Sequence, residues 1–368
     1  MVPGVRPGLV DDGAREAALR RVRSLTLGLL LALLCSFPGS AQDLAALGPA
    51  PRDADGRFVN SVGELTRGSA GVRFPFFLRR IAGSFRERPG APASVANDGA
   101  FLRENARHSQ PTVTWIGHAT LLVQMDHVTF LTDPIWSDTA SPVSFLGPRR
   151  FVAPGMALED LPPIDFVLIS HNHYDHLDLA TLTALAARNN QTRFFVPLGN
   201  AALLRESGIA NVEELDWGGS LTHEGVRITC VPSQHWSGRG LGDVRATLWS
   251  SWVVTGPSRR FYFAGDTGYF AGFTQIAKAL GPFDLAALPI GAYEPAAMMK
   301  PSHLNPEEAV QAALDLHASK AVAIHYGTFD LSDEPLDEPP RRFVAAASNS
   351  SLGEGGAWVL RIGETREF

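Results

Sequence analysis

The sequence predicts a layered α/β fold, and three observations carry that expectation. Short, continuous apolar runs recur from Pro111 onward: "DFVLIS", "RFFVPL", "VRITCVP", "TLWSSWVVTG", "RRFYFAGD", "DLAALPI" and "KAVAIH". Runs of this kind suit strands covered on both faces. Helical segments fall between some of them, at 178–189, 270–280 and 305–318. No strong linker interrupts the alternation, so the elements belong to one domain, taken as 111–368.

Taken in chain order, the first element is an export pattern. Arg20, Arg21 and Arg23 precede the apolar run "SLTLGLLLALLCSF", which is followed by small residues up to Ala41. That is the layout of a secretory signal, and the run is short for a bilayer span. The arginines lie far from Met1, so an uncleaved anchor or a misplaced start fits as well. Residues 1–41 are therefore expected to be a signal peptide or membrane anchor, and the protein to be exported: periplasmic or envelope-associated, peripheral on the membrane. With the signal removed, Cys230 is the only cysteine left, so an intrachain disulfide is excluded.

Residues 42–110 form a linker and an N-terminal amphipathic segment by composition. In "RFPFFLRRIAGSFRER", residues 73–88, Phe77, Ile81 and Phe85 recur at helical spacing with Arg79, Arg80 and Arg86 close by. Such a helix fits an interfacial membrane contact, or a helix packing its phenylalanines on the main domain. The stretches "TVTWIGHATLLVQM" and "HVTFLTD" form a hairpin-like pair. The helix at 305–318 has a start signal: Asn305 as N-cap, Pro306 next and Glu308 two further on. No internal repeat is visible at the residue level, although a pseudo-duplicated fold leaves none when its halves have diverged.

Composition narrows the function classes. The 368 residues carry a formal net charge of -6, which excludes a chain-wide electrostatic grip on nucleic acid. Hydrophobic residues make up 45%, enough for a sizeable core. No G-x-S-x-G stretch or P-loop is present.

Chemistry concentrates in "SHNHYDHLD", where three of the chain's 11 histidines occupy residues 171–176. The stretch follows a buried strand and precedes a helix, where α/β proteins gather ligands. In extended backbone His171 and His173 project to the same side and reach one metal ion. Asp175 and His176 follow where the chain turns and can reach a second. Three further strand ends offer single donors: His235 in "VPSQHW", Asp266 in "YFAGDTG" and His325 in "VAIHYGT". A lone histidine is more often structural; four strand-end sites with compatible chemistry are not explained that way. Imidazole and carboxylate donors without thiolate suit Zn²⁺, with iron and manganese also compatible.

These residues resemble the metallo-β-lactamase superfamily, whose H-x-H-x-D-H signature matches His171, His173, Asp175 and His176. The resemblance implies an αββα four-layer sandwich with two metal ions at its edge. It implies that His171, His173 and His235 hold one metal, that Asp175, His176 and His325 hold the other, and that Asp266 bridges them. Asp133 in "FLTDP" matches an early aspartate that orients a ligand.

A closer resemblance covers residues 110–330 and extends weakly to "GRFVN" at 56–60. "WIGHATLLVQMDHVTFLTDPIWS", "LPPIDFVLISHNHYDHLD", "ELDW", "PSQHWS", "FAGDTGY", "GPFDLAALPIGAYEP", "NPEEAV" and "AIHYGTF" are similar to the N-acyl-phosphatidylethanolamine-hydrolysing phospholipase D family. That family cleaves an N-acylated phospholipid to phosphatidic acid and an N-acylethanolamine. The sequence departs from animal members at "SPVSFLGPRRF", where Ser144 and Phe145 replace a Gln-Tyr pair. The implied partner is a phospholipid, and the implied cofactors are two Zn²⁺ or other divalent ions.

Two adjacent cations lower the pKa of a water between them and polarise a phosphoryl oxygen, so no side-chain nucleophile is required. Asp266 would fix the metal spacing, and Asp175 would accept the water's proton. His303 in "MKPSHLNPEEAV" and His118 in "GHAT" are candidates for the substrate pocket, and "SGRGLGD", 237–243, for its flexible rim. The alternative reading is a lactonase or small phosphoester hydrolase on the same metal scaffold.

Overall fold

The computed structural model describes Met1, Gly4 and residues 44–368 apart from 64, 66, 67, 84–88, 144–146 and 241. Contacts group the chain into a unit Gly39–Phe368, treated below, and a unit Met1–Pro38. The expected signal at 1–41, together with Phe85, Arg86, Ser144 and Phe145, therefore lies outside the described residues, save Met1 and Gly4.

Two seven-stranded sheets face each other. The first contains β1 (Thr112–Gly117), β2 (Thr120–Met125), β3 (Val128–Thr132), β4 (Phe166–Leu168), β5 (Arg193–Pro197) and β6 (Val212–Leu215), with the last strand, β14 (Thr365–Glu367), beside β1. The second contains β7 (Ser220–His223), β8 (Val226–Val231), β9 (Ser251–Thr255), β10 (Arg260–Phe263), β11 (Leu285–Pro289), β12 (Ala321–Ile324) and β13 (Ala357–Trp358) in spatial sequence. In each sheet the pairings are antiparallel at one end and parallel at the other. The halves thus repeat one topology with no residue-level repeat.

Strand alternation explains why the runs are apolar throughout. On β2, Leu121, Val123 and Met125 enter the core between the sheets, whereas Leu122 joins the outer cluster. Phe166 and Leu168 face inward from β4, and Val167 faces outward. Both faces are covered, so both must be hydrophobic. The outer layers are helical. Helices α2 (Ala100–His108), α3 (Leu179–Arg188) and α4 (Ala201–Glu206) contribute Leu102, Leu182, Leu185 and Leu204 to the first sheet's outer cluster. Helices α5 (Gly272–Leu280), α7 (Pro306–Asp315) and α8 (Glu338–Ser348) contribute Phe273, Ile276, Val310 and Phe343 to the other core. The result is the expected αββα four-layer sandwich.

The helix start at Asn305 forms as expected. Asn305 Oδ1 accepts from the Glu308 amide at 2.8 Å, and Glu308 Oε2 accepts from the Asn305 amide at 3.2 Å. The region expected to be a linker behaves differently. Leu47 and Phe58 join the inter-sheet core, and Asn60 is buried. The run "TLWSSWVVTG" is strand only over β9; Leu248 and Trp249 are buried in the segment before it.

Helix α1 (Ala70–Gly83) occupies much of the expected amphipathic segment. Of the expected seam Phe77, Ile81 and Phe85, only the Phe77 side chain lies among the described ones. Phe76 is buried, while Phe74, Phe77 and Leu78 are 67%, 52% and 50% exposed. Arg79 and Arg80 pair with Asp333, and Arg80 also pairs with Asp330, so these cations are committed within the protein. No helix of the described residues is long and apolar enough to cross a membrane. The short α6 (Ala296–Met299) packs beside α1.

Candidate metal centre

The sheets bring the predicted donors together at the ends of their strands. His171, His173, Asp175 and His176 follow β4, His235 follows β8, Asp266 follows β10 and His325 follows β12. His171, His176, His235, Asp266 and His325 are buried. Four overlapping donor groups form among the described residues, and two of them contain the expected ligand triads. In one, ring nitrogens of His171, His173 and His235 converge; in the other, Asp175, His176 and His325 converge with His118.

Within the first group, His171 Nε2 lies 2.8 Å and His235 Nε2 3.2 Å from His173 Nδ1. The facing nitrogens of His171 and His235 carry lone pairs in the neutral rings. His235 Nδ1 donates to the Ser302 carbonyl at 2.9 Å, which leaves Nε2 without a proton. Ser170 Oγ donates to Asp133 Oδ2 at 2.5 Å, so it accepts from His171 Nδ1 at 2.9 Å, with the same consequence.

The second group is built alike. His176 Nδ1 donates to Asp133 Oδ2 at 2.6 Å, aiming Nε2 at its neighbours. Those are His325 Nε2 at 3.1 Å, Asp175 Oδ2 at 3.3 Å and Asp266 Oδ2 at 3.3 Å. Asp266 spans the groups: Oδ1 is 3.1 Å from His325 Nε2, and Oδ2 is 3.7 Å from His235 Nε2. Donors held at ~2.0–2.2 Å around a tetrahedral Zn²⁺ stand roughly 3.3 Å apart, and these separations match. Lone pairs and carboxylates facing one another need a cation between them, and Asp266 Oδ1 has no hydrogen-bond partner. The donor set fits divalent metal.

The electrostatics agree. Burial, followed by neighbouring histidines, pushes His171 well below the usual range, and burial pushes His173 down to about 4. Burial likewise lowers His235, with Asp266 opposing it. Burial opposes ionisation of Asp175 and Asp266, yet His176 and its neighbours hold both carboxyls well below the ordinary carboxylate range. Burial also disfavours charged His176 and His325, but Asp266 and Asp175 outweigh it; His325 rises to about 9. Without metal, protons on these two rings supply the cationic charge that the carboxylates require.

A cavity of about 510 Å³ opens over the donors, with His173, Asp175, His235, Asp266, His303 and His325 in its floor. Phe76, Phe77, Leu65, Met298 and Met299 line its walls. His303 lines this cavity: Nε2 is 3.6 Å from Asp266 Oδ2, while Nδ1 faces the Met299 carbonyl at 3.2 Å. His118, expected in the pocket, lies outside the walls of that cavity, buried with Nε2 3.0 Å from Asp175 Oδ2. Burial lowers it to about 3, so the ring is neutral. His118 sits in the turn after β1 with φ of 54°, and its ring packs against His325 and Phe329 beside Asp175. Asp178, at the N-cap of α3, accepts from Thr181 Oγ1 and Ser137 Oγ.

Two supports escaped sequence reasoning. Asn60 brackets the backbone of His235, accepting from its amide at 3.0 Å and donating to its carbonyl at 2.9 Å. Its only signal was the weak resemblance around "GRFVN". The expected flexible rim instead carries Arg239, which donates to the carbonyls of Asn172 and Leu177 at 3.0 and 2.9 Å. Its guanidinium stacks 3.8 Å from the Tyr174 ring, so the ligand loop is clamped.

Comparison with known proteins agrees with this geometry. Residues 128–326, more than half of the chain, match the Beta-lactamase superfamily domain. The chain is 47% identical to N-acyl-phosphatidylethanolamine-hydrolyzing phospholipase D 1 of Caenorhabditis elegans, over 62% of this chain and 67% of that one. It is 43% identical to an uncharacterized protein of Mycobacterium tuberculosis, over 81% of this chain and 80% of that one. Among solved structures, an isothiocyanate hydrolase from Delia radicum gut bacteria shares the fold, with a TM-score of 0.56 and 23% identity, covering 70% of this chain and 99% of that one. The chain belongs to the metallo-β-lactamase superfamily and, within it, to the N-acyl-phosphatidylethanolamine-hydrolysing phospholipase D-like family. It is a metal-dependent hydrolase.

Proposed function

We propose that this hydrolase cleaves N-acyl phosphatidylethanolamine in the phospholipase D manner. The observation that carries the reading is the apolar-walled cavity of about 510 Å³ standing directly over the two donor groups. A small soluble ester needs no such volume of phenylalanine, leucine and methionine, whereas an acyl chain does. The activity for which the nematode relative is named supports the same substrate.

In this reading His171, His173 and His235 would hold one Zn²⁺, Asp175, His176 and His325 would hold another, and Asp266, between the two groups, would serve both. The chemistry that the metals supply when bound is Lewis acidity toward the attacking water and the phosphoryl group. The residues do the rest. Asp175, ionised and adjoining the cavity, accepts the water's proton. His303 turns Nε2 toward Asp266 at the cavity floor and hydrogen-bonds the phosphate or the departing oxygen. The water oxygen bonds to phosphorus, the bond from phosphorus to the ethanolamine oxygen breaks, and a proton ends on the released alcohol.

Helix α1 completes the reading. Phe77 is half exposed and also lines the cavity, and Phe74 and Leu78 stand exposed beside it. Dipped into a lipid surface, this face joins the acyl region of a membrane to the cavity. An exported, envelope-facing location suits such a substrate. Purified zinc-loaded protein should release phosphatidic acid from the N-acylated lipid and stop when metal is chelated. Turnover of soluble lactones or phosphoesters alone would favour the other scaffold chemistry.

A further inference from the structure

His118 follows β1 at the turn into β2, with φ of 54°. Its ring is wholly buried, and Nε2 lies 3.0 Å from Asp175 Oδ2. The backbone is anchored at both polar atoms. The amide donates to Thr328 Oγ1 at 2.8 Å, and the carbonyl accepts from Trp115 Nε1 at 2.9 Å and from the His325 amide at 3.0 Å. Phe329 packs edge-on against the ring with centroids 5.1 Å apart. His325 has φ of 58°, a backbone state that needs support from outside.

One residue therefore touches two donors of one group, Asp175 through its ring and His325 through its carbonyl. These come from opposite sheets. The first group, His171, His173 and His235, shares no hydrogen bond with His118 among the described residues. His118 falls within the same group of donors, but its Nε2 makes the shortest ring contact to Asp175 Oδ2, 3.0 Å against 3.3 Å from His176 and 3.4 Å from His325, and donates to that carboxylate. Nδ1 is buried without a hydrogen-bond partner.

We propose that His118 is a positioning residue that fixes Asp175 and His325 relative to each other, and so sets the affinity of the second metal site alone. The proposal rests on the assignment of Asp175, His176 and His325 to that metal. His118→Asn keeps the left-handed backbone, which asparagine tolerates, but its amide is too short to reach Asp175. His118→Gln restores a donor at the reach of Nε2.

The test is zinc titration of full-length protein against a competing chelator, with folding checked by thermal melting. Wild-type protein should bind two equivalents; fewer would remove the assignment beneath the proposal. H118N should weaken one equivalent by about 10–100-fold, the usual loss when an outer partner of a ligand is removed, and leave the other unchanged. H118Q should recover most of that loss. Equal weakening of both equivalents, or two unchanged ones in H118N, would overturn the proposal. Should H118N fail to fold, histidine ¹⁵N NMR of the zinc-loaded wild type decides, with H118Q providing the assignment. The ring of residue 118 should keep its Nε2 proton; a deprotonated, zinc-shifted Nε2 would make it a ligand and overturn the positioning role.

Discussion

Asp133 Oδ2 lies 2.6 Å from His176 Nδ1, with both side chains wholly buried. The same carboxylate accepts from the Ser170 amide at 2.6 Å and from Ser170 Oγ at 2.5 Å. Through Ser170 it also fixes His171, so one aspartate aims a histidine in each donor group. Its φ of 34° shows that the backbone bends to put it there.

Asp133→Asn should therefore weaken zinc binding by about 10–100-fold, since it removes the acceptor that orients His176. Asp133→Ala should also cost roughly 3–5 kcal/mol of stability, the range for breaking a buried pair. Zinc titration and urea unfolding check the two effects. Wild-type affinity in the asparagine variant would contradict the orienting role.

Metal loading should release protons. Burial opposes a charged His325, but Asp266 and Asp175 raise it to about 9, so the metal-free ring is protonated at neutral pH. Zinc must displace that proton, and apparent affinity should rise with pH through about 9. The metal-free fold follows the opposite sign: the raised folded-state pKa contributes stability that is complete below the unfolded value of ~6.5. That contribution is lost as pH rises through about 9. Calorimetric zinc titrations in buffers of different ionisation enthalpy count the protons; zero release at pH 7 would contradict the charge inventory.

Replacing Phe74 and Phe77 by serine should reduce binding to phospholipid vesicles by tenfold or more, because each buried aromatic contributes roughly 1.5–3 kcal/mol. Phe77 lines the cavity, so Phe74→Ser alone separates the effects: weaker vesicle sedimentation with unchanged turnover of detergent-dispersed lipid. Binding should change little with salt, because Arg79 and Arg80 are held by Asp330 and Asp333. Undiminished sedimentation of both variants would contradict a docking role for α1.

Much of the fold was legible because strands covered on both faces must be apolar throughout, as Leu121 and Leu122 illustrate. The donors were legible because each sits where an apolar run ends. What stayed hidden acts through backbone. Asn60 holds His235 by its amide and carbonyl, and Arg239 holds carbonyls of the ligand loop. Neither contact leaves a side-chain pattern. His118 was visible as a residue near the site, but its left-handed backbone and its place beside Asp175, outside the cavity walls, have no signature in composition or spacing.

The proposed reaction is metal-dependent attack of water on the phosphorus of an N-acylated phospholipid. Hydrolysis of N-acyl phosphatidylethanolamine in ¹⁸O-labelled water, followed by mass spectrometry, tests it most directly. One ¹⁸O should appear in phosphatidic acid and none in the N-acylethanolamine. No phosphatidic acid from fully zinc-loaded protein, or label carried by the ethanolamide, would contradict it.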